Sequence, residues 1–137
     1  MVESKINGAN VTLENKIKGK DLQVKMSPNL MEQVLVNLIS NACDAMETRP
    51  VRKLVLTAEV DSTSLNISIS DTGMGISKDN LEHIFDSFYT TKPKGKGTGL
   101  GLSIAQSIVE DQGGSISVQS ELGTGTEFRI TLPLIDT

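Results

Sequence analysis

Asn37, Asn41 and Asp44 stand at i, i+4 and i+7 in an otherwise apolar stretch of the chain. On a helix they share one stripe. Two carboxamide oxygens one turn apart suit a hard cation that keeps several of its waters, which is how magnesium is usually held. A polar helix face open to solvent accounts for the same stripe. Further along, Asp71-Thr-Gly-Met-Gly75 places a carboxylate at the end of an alternating segment and follows it with two glycines. The glycines let backbone pass close to a flat ligand, and the carboxylate, as an acceptor, suits the exocyclic amine of a purine. A plain Asp-Thr-Gly turn is the competing reading.

Four glycines alternate in Gly95-Lys-Gly-Thr-Gly-Leu-Gly-Leu-Ser-Ile104, and an apolar helix pattern follows directly. Glycine is costly to order, so such a cluster at a helix start signals close approach of backbone to an anion, where free N–H groups and the helix dipole converge. The run is neither a P-loop nor the dinucleotide fingerprint, whose spacings it does not match. Lys92, Lys94 and Lys96 gather beside it. Gly123-Thr-Gly-Thr-Glu-Phe128 turns into a strand, and Thr126 has a hydroxyl to offer a base or an ordered water; a simple hairpin turn explains it equally well. Phe85, Phe88 and Tyr89 fall close together, as a satellite cluster under a loop or as a functional lid.

The elements that must position these residues follow from periodicity. Residues 11–15 and 22–26 read as short strands joined by a turn at 18–21. Ser27-Pro28 opens a helix that runs to about Met46, with Leu30, Met31, Val34, Leu35, Leu38, Ile39 and Ala42 at helical spacing. Residues 53–60 and 64–70 form a hairpin, the second strand alternating in the manner of a half-buried strand. A short helix is expected around 79–84 with Ser77 as its cap, then a loop over 86–98. A second long helix spans 98–112, stopped by Gly113-Gly114. A closing hairpin pairs 115–119 with 126–132. The pattern predicts an α/β (α+β) two-layer sandwich, a mixed sheet of about five strands covered on one face by about three helices.

Bulk properties narrow the function. At 137 residues a single domain, 1–137, is the default, and a net charge of -4 without a sustained basic run leaves no nucleic-acid footprint. No apolar stretch is long enough to span a bilayer, the first residues do not read as a signal peptide, and the lone Cys43 suits a reducing compartment. A cytoplasmic location is expected.

Five segments in order, Asn37-Leu-Ile-Ser-Asn-Ala-Cys-Asp-Ala45, Asp71-Thr-Gly-Met-Gly-Ile76, Ile84-Phe-Asp-Ser-Phe-Tyr-Thr-Thr-Lys92, Gly97-Thr-Gly-Leu-Gly-Leu-Ser-Ile104 and Gly123-Thr-Gly-Thr-Glu-Phe128, resemble the N, first glycine, F, second glycine and final glycine boxes of sensor histidine kinases. This is the ATP-binding catalytic domain, or Bergerat fold, of the gyrase, heat-shock chaperone, histidine kinase and MutL superfamily. The resemblance covers nearly the whole chain. It implies two cofactors, ATP and magnesium. It makes Asn41 the principal magnesium ligand, with Asn37 nearby on the metal or the phosphates. Asp71 takes the adenine amine, supported by Gly75, and Thr126 helps bind the base. Asp44, Gly73, Ile76, Phe88, Tyr89 and Leu102 complete the nucleotide-binding set. The backbone of Gly97, Thr98, Gly99, Leu100 and Gly101 meets the phosphates, and the loop over 85–98 is the ATP lid. Lys92 brings a cation to the terminal phosphate, so Asn37 and Lys92 are the candidate catalytic pair. Phosphoryl transfer needs positioning and charge neutralisation more than covalent help, which suits this set.

Kinases of this kind pass the phosphate to a histidine on a separate helical dimerisation domain, and a response regulator acts downstream. His83, in Leu-Glu-His-Ile-Phe, lacks the acceptor's acidic neighbour and proline. It is expected to be a surface or packing histidine, and the chain to be a piece of a longer kinase whose parent is soluble or membrane-anchored. Ser27 stands where the family often has aspartate, a capping change only. Two alternatives remain. An ATP-hydrolysing gyrase- or chaperone-type domain would carry a glutamate where this chain has Asn37, and a neutral amide is a poor general base. The second is a non-enzymatic ATP-dependent interaction module, or an anti-sigma-factor-type serine kinase, which shares the second glycine box.

Overall fold

The computed structural model describes residues 12–17, 27–87 and 101–134. α1 (Pro28–Ala45) begins as expected: Ser27 Oγ accepts the Leu30 N–H at 3.2 Å, and proline occupies the first turn. Its apolar stripe, Val34, Leu38, Ile39, Ala42 and Cys43, is buried. The helix closes on Met46, whose N–H reaches the Ala42 and Cys43 carbonyls. α2 (Lys78–Leu81) carries the Ser77 cap, accepting from Asn80 N–H, but is shorter than expected. Beyond Leu81 the chain tightens into three-residue turns, with His83 N–H on the Asn80 carbonyl and Asp86 N–H on the His83 carbonyl. α3 (Gly101–Asp111) buries Ala105 and Val109 and ends where Gly113 and Gly114 N–H groups return to the Glu110 and Val109 carbonyls. The expected start of this helix at 98 lies outside the described residues, as does the expected strand at 22–26.

Five strands form one mixed sheet: β1 (Thr12–Ile17), β2 (Lys53–Val60), β3 (Ser64–Asp71), β4 (Ser115–Glu121) and β5 (Gly125–Pro133), in the order β1-β2-β3-β5-β4. β1 runs parallel to β2, and the other three pairings are antiparallel. This is the predicted two-layer sandwich. The turn between β2 and β3 is tied by Asp61, whose Oδ1 accepts the N–H groups of Thr63 and Ser64 at 2.9 and 2.7 Å. Those bonds hold its carboxyl below the ordinary range.

The core sits between one sheet face and the helices. Leu54, Leu65, Ile67, Ile69, Phe128, Ile130 and Leu132 supply the sheet side, and Val34, Leu38, Met46, Ala105 and Val109 the helix side. Strand alternation places every second residue of β3 and β5 in that core, which decides what their last residues face. Phe85 packs edge-on against Phe128, centroids 6.3 Å apart at 83°, so this aromatic belongs to the satellite-cluster reading. His83 is exposed, with Nδ1 3.0 Å from Asp86 Oδ2. Among the described residues no helix is long and apolar enough to cross a membrane.

Leu38 is fully buried where α1 meets the sheet. Leu38→Ala is expected to lower stability by about 2–5 kcal/mol, measured as a reduced urea midpoint with unchanged slope.

Candidate functional site

β3 ends on Asp71, and register makes that position unusual. Asp71 lies opposite Thr126 of β5, and Thr126 lies opposite Ser120 of β4. Residues directly opposite in antiparallel strands point to the same face. Ile67 and Ile69 put that face in the core, so Asp71, Thr126 and Ser120 form a polar row across three strands at the rim of an apolar layer. Asp71 is 6% exposed and Thr126 5%.

A carboxylate so placed loses hydration. Burial pushes the Asp71 carboxyl up from 3.8 to about 6, while bonds from the backbone N–H groups of Gly73 and Thr126 pull the other way. The Gly73 bond to Oδ1 is 2.8 Å. The two glycines after Asp71 are there for space. A side chain at Gly73 would come within 2.8 Å of the Ala45 carbonyl, and at Gly75, where φ is +77°, it would overlap the Glu121 carbonyl. The loop is thereby clamped on both sides. Met74 N–H donates to the Ala45 carbonyl at 3.0 Å, and the Met74 carbonyl accepts from Gly123 N–H at 2.8 Å. Thr72 Oγ1 joins it to β2, accepting from Lys53 N–H and donating to the Val51 carbonyl, both at 2.9 Å.

Two residues that the motif reading did not single out complete the rim. Ser120 Oγ accepts from Ile76 N–H at 2.7 Å and lies 3.0 Å from the Gly125 carbonyl and 2.8 Å from Thr126 Oγ1. Arg49 Nη2 donates to the Gly123 carbonyl at 2.7 Å and fixes the β4–β5 turn against the end of α1. Ser120 had a signal: counting by twos from Ile116 and Val118 puts it on the core face. Arg49 had none.

The stripe on α1 lies beside this rim. Asn37, Asn41 and Asp44 are half-buried. Asn37 Nδ2 donates to the Gly101 carbonyl at 3.1 Å, so at Asn37 the stripe faces α3 rather than solvent. Ile76 and Leu102 are partly buried against the core. Gly73, Gly75, Asp71, Thr126 and Ser120 are therefore gathered at the sheet rim, and Asn37 and Gly101 at the seam between α1 and α3. Phe88, Tyr89, Lys92, Gly97, Thr98, Gly99 and Leu100 lie outside the described residues. No group of three His, Cys, Asp or Glu side chains that could hold a metal occurs among the described residues. A cation at the α1 stripe would lean on carboxamides, water and a ligand's own oxygens, a donor set that fits magnesium.

Fold and site together define an ATPase-type sandwich, with a buried acceptor at the sheet rim and a carboxamide stripe on the neighbouring helix. The histidine kinase-, DNA gyrase B- and HSP90-like ATPase family matches residues 26–136, and the chain belongs to that family. The sensor protein SrrB of Staphylococcus aureus is 46% identical over 107 residues, 75% of this chain but 18% of that protein. The catalytic domain of histidine kinase ThkA, in a nucleotide-free form, superposes with a TM-score of 0.79 at 36% identity, covering 96% of this chain and 85% of that one. Full-length ShkA in complex with AMPPNP gives a TM-score of 0.82 at 26% identity, over 98% of this chain and 28% of that one.

The raised Asp71 pKa has a signed consequence for stability. The fold favours the neutral carboxyl, so this contribution is complete below pH 3.8 and is lost as pH rises through about 6. Asp71→Asn keeps an acceptor for Gly73 N–H without the charge. Relative to the unaltered chain, the variant is expected to gain roughly 2 kcal/mol of stability between pH 4.5 and pH 7.5, followed by denaturant titration at several pH values. A difference independent of pH would show that the Asp71 charge is not paid for by the fold.

Proposed function

We propose that the chain is the Mg-ATP-binding catalytic domain of a sensor histidine kinase, donating the γ-phosphate to a histidine on a separate dimerisation domain in two-component signalling. The observation that carries this reading is the buried carboxylate of Asp71 at the rim, next to Thr126 and with glycine-only backbone above it. Nothing in an apolar core needs an acceptor there; a flat base with an amine does. Asp71 takes the adenine amine, Thr126 lies beside it, and Gly73, Gly75 and Ile76 form the backbone wall. At the other end Asn41 and Asn37 hold magnesium, with Asp44 on the same stripe. When bound, that ion neutralises charge on the phosphate oxygens. The Gly97–Gly101 backbone with Thr98, Leu100 and Leu102, the lid with Phe88 and Tyr89, and Lys92 are assigned to the phosphates by their boxes.

Asn37 bears on the type of chemistry. Its amide donates to the Gly101 carbonyl and has no basic lone pair to take a proton from water. That supports transfer to a protein acceptor over hydrolysis. His83 is an exposed residue paired with Asp86 and is not assigned as the acceptor. The acceptor histidine and any membrane anchor belong to the parent kinase, of which this chain is a single domain, and the response regulator acts downstream of it.

Asp71→Asn is expected to weaken ATP by about 1.5–3 kcal/mol, roughly 10- to 150-fold, by calorimetry, because it puts an N–H donor against the amine and removes a charged acceptor. Unchanged affinity would remove Asp71 from the base site. With radiolabelled ATP and a histidine-bearing dimerisation domain, the chain is expected to label that domain in an acid-labile way and to leave itself unlabelled. Release of free phosphate without transfer would favour the hydrolytic reading, and strong labelling of His83 would contradict the separate-acceptor assignment.

A further inference from the structure

Building on the assignment of the rim as an ATP site, we propose that Ser120 determines which purine the rim accepts, by fixing the direction of the Thr126 hydroxyl. A serine hydroxyl has one proton and two lone pairs. Ser120 Oγ has three polar neighbours, and the chemistry of two is fixed. Ile76 N–H only donates, at 2.7 Å, and the Gly125 carbonyl only accepts, at 3.0 Å. These use the one proton and one lone pair. The remaining lone pair faces Thr126 Oγ1 at 2.8 Å, so Thr126 donates to Ser120. The only hydroxyl proton of Thr126 is thus consumed inside the protein. Toward a ligand over the rim, Thr126 offers lone pairs alone.

This matters because Asp71 by itself is a poor discriminator. A carboxylate accepts from the 6-amine of adenine, and equally from the ring N–H of a 6-oxopurine. Thr126, directly beside Asp71 in the ladder, breaks the tie. Two neighbouring acceptors match the two hydrogens of an amine. A 6-oxo group instead sets its own oxygen against an acceptor whose residue is itself largely withdrawn from solvent. Opposed acceptors of this kind reject a ligand far more strongly than a missing contact does. Ser120 therefore acts through Thr126 as a positioning residue for base choice, and need not touch the nucleotide.

The test is titration of ATP and of ITP, which differ at the 6-position and at N1, read as the ratio of their dissociation constants. Ser120→Ala frees the Thr126 proton to turn toward a 6-oxo group, and the preference for ATP is expected to fall about tenfold. Thr126→Val keeps the shape, removes the hydroxyl and is expected to lower the preference similarly. Adding Ser120→Ala to Thr126→Val should then change the ratio no further. If Ser120→Ala does not fold, an unchanged ratio in the valine variant still overturns the proposal. A serine that only props up the hairpin would weaken both nucleotides by one factor and leave the ratio alone. That result, or equal binding of ATP and ITP by the unaltered chain, overturns the proposal. Failure of the unaltered chain to bind either nucleotide overturns the ATP-site assignment instead.

Discussion

A carboxylate held out of water at the end of β3 is the constraint around which the rest of the rim is arranged. An uncompensated buried charge is expensive, and Asp71 is only partly compensated: two backbone N–H groups offset burial without cancelling it, so the carboxyl titrates near 6. The neighbouring features limit what that placement costs. The following chain must double back to present Gly73 N–H to Oδ1, which brings its backbone against Ala45 and Glu121 and leaves room only for glycine. The loop must then be held, and Ala45, Gly123 and Ser120 each supply a bond to it. Sequences that depart from local stability rules tend to do so where a ligand is to be met. Asp71 is such a departure, ending a strand whose other inward residues, Leu65, Ile67 and Ile69, are apolar.

What was legible in the sequence was local. Ser27 and Ser77 cap their helices because a cap is decided within three residues. The alternation of Leu65, Ile67 and Ile69 marks the inward face of β3, and the strand runs one residue beyond its expected end, which puts Asp71 on that face. The apolar stripe of α1 foretells its buried face. What escaped was non-local. Arg49 reaches a carbonyl 74 residues away, Ser120 an amide 44 residues away, and Asn37 a carbonyl 64 residues away. No periodicity reports such pairs. The Ser120 bond exists because sheet order places β5 between β3 and β4, and the Asn37 bond because α1 lies beside α3, neither of which a single segment encodes. α2 is shorter than its sequence pattern: helical spacing persists past Leu81, but three-residue turns take over before a further helical turn forms.

The two ends of the proposed site are built from different materials. The base end is a row on three paired strands, where backbone ladders fix side chains to within small tolerances. Sites that discriminate by hydrogen-bond direction need that rigidity, since a hydroxyl free to rotate would satisfy either purine. The helix end is a seam between α1 and α3, joined at Asn37 and Gly101 by a side chain rather than by a ladder.

α1 connects the two ends. Its last residue, Ala45, holds Met74 of the rim loop through a backbone bond, and its middle carries Asn37 and Asn41. Asn41 lies about one turn from Ala45, roughly 6 Å along the axis, and Asn37 about two turns, roughly 12 Å. A helix is stiff over that distance and is packed along its length on Val34, Leu38 and Ala42. The separation between the base-reading acceptors and the carboxamide stripe is therefore set by helix geometry and core packing rather than by a loop. That explains why the stripe repeats with helical period: only residues on one face of α1 share a fixed line of sight with the rim. On the proposed assignment the core also bears on the chemistry, because a shift of α1 along the sheet would move a cation held at Asn41 relative to a base held at Asp71.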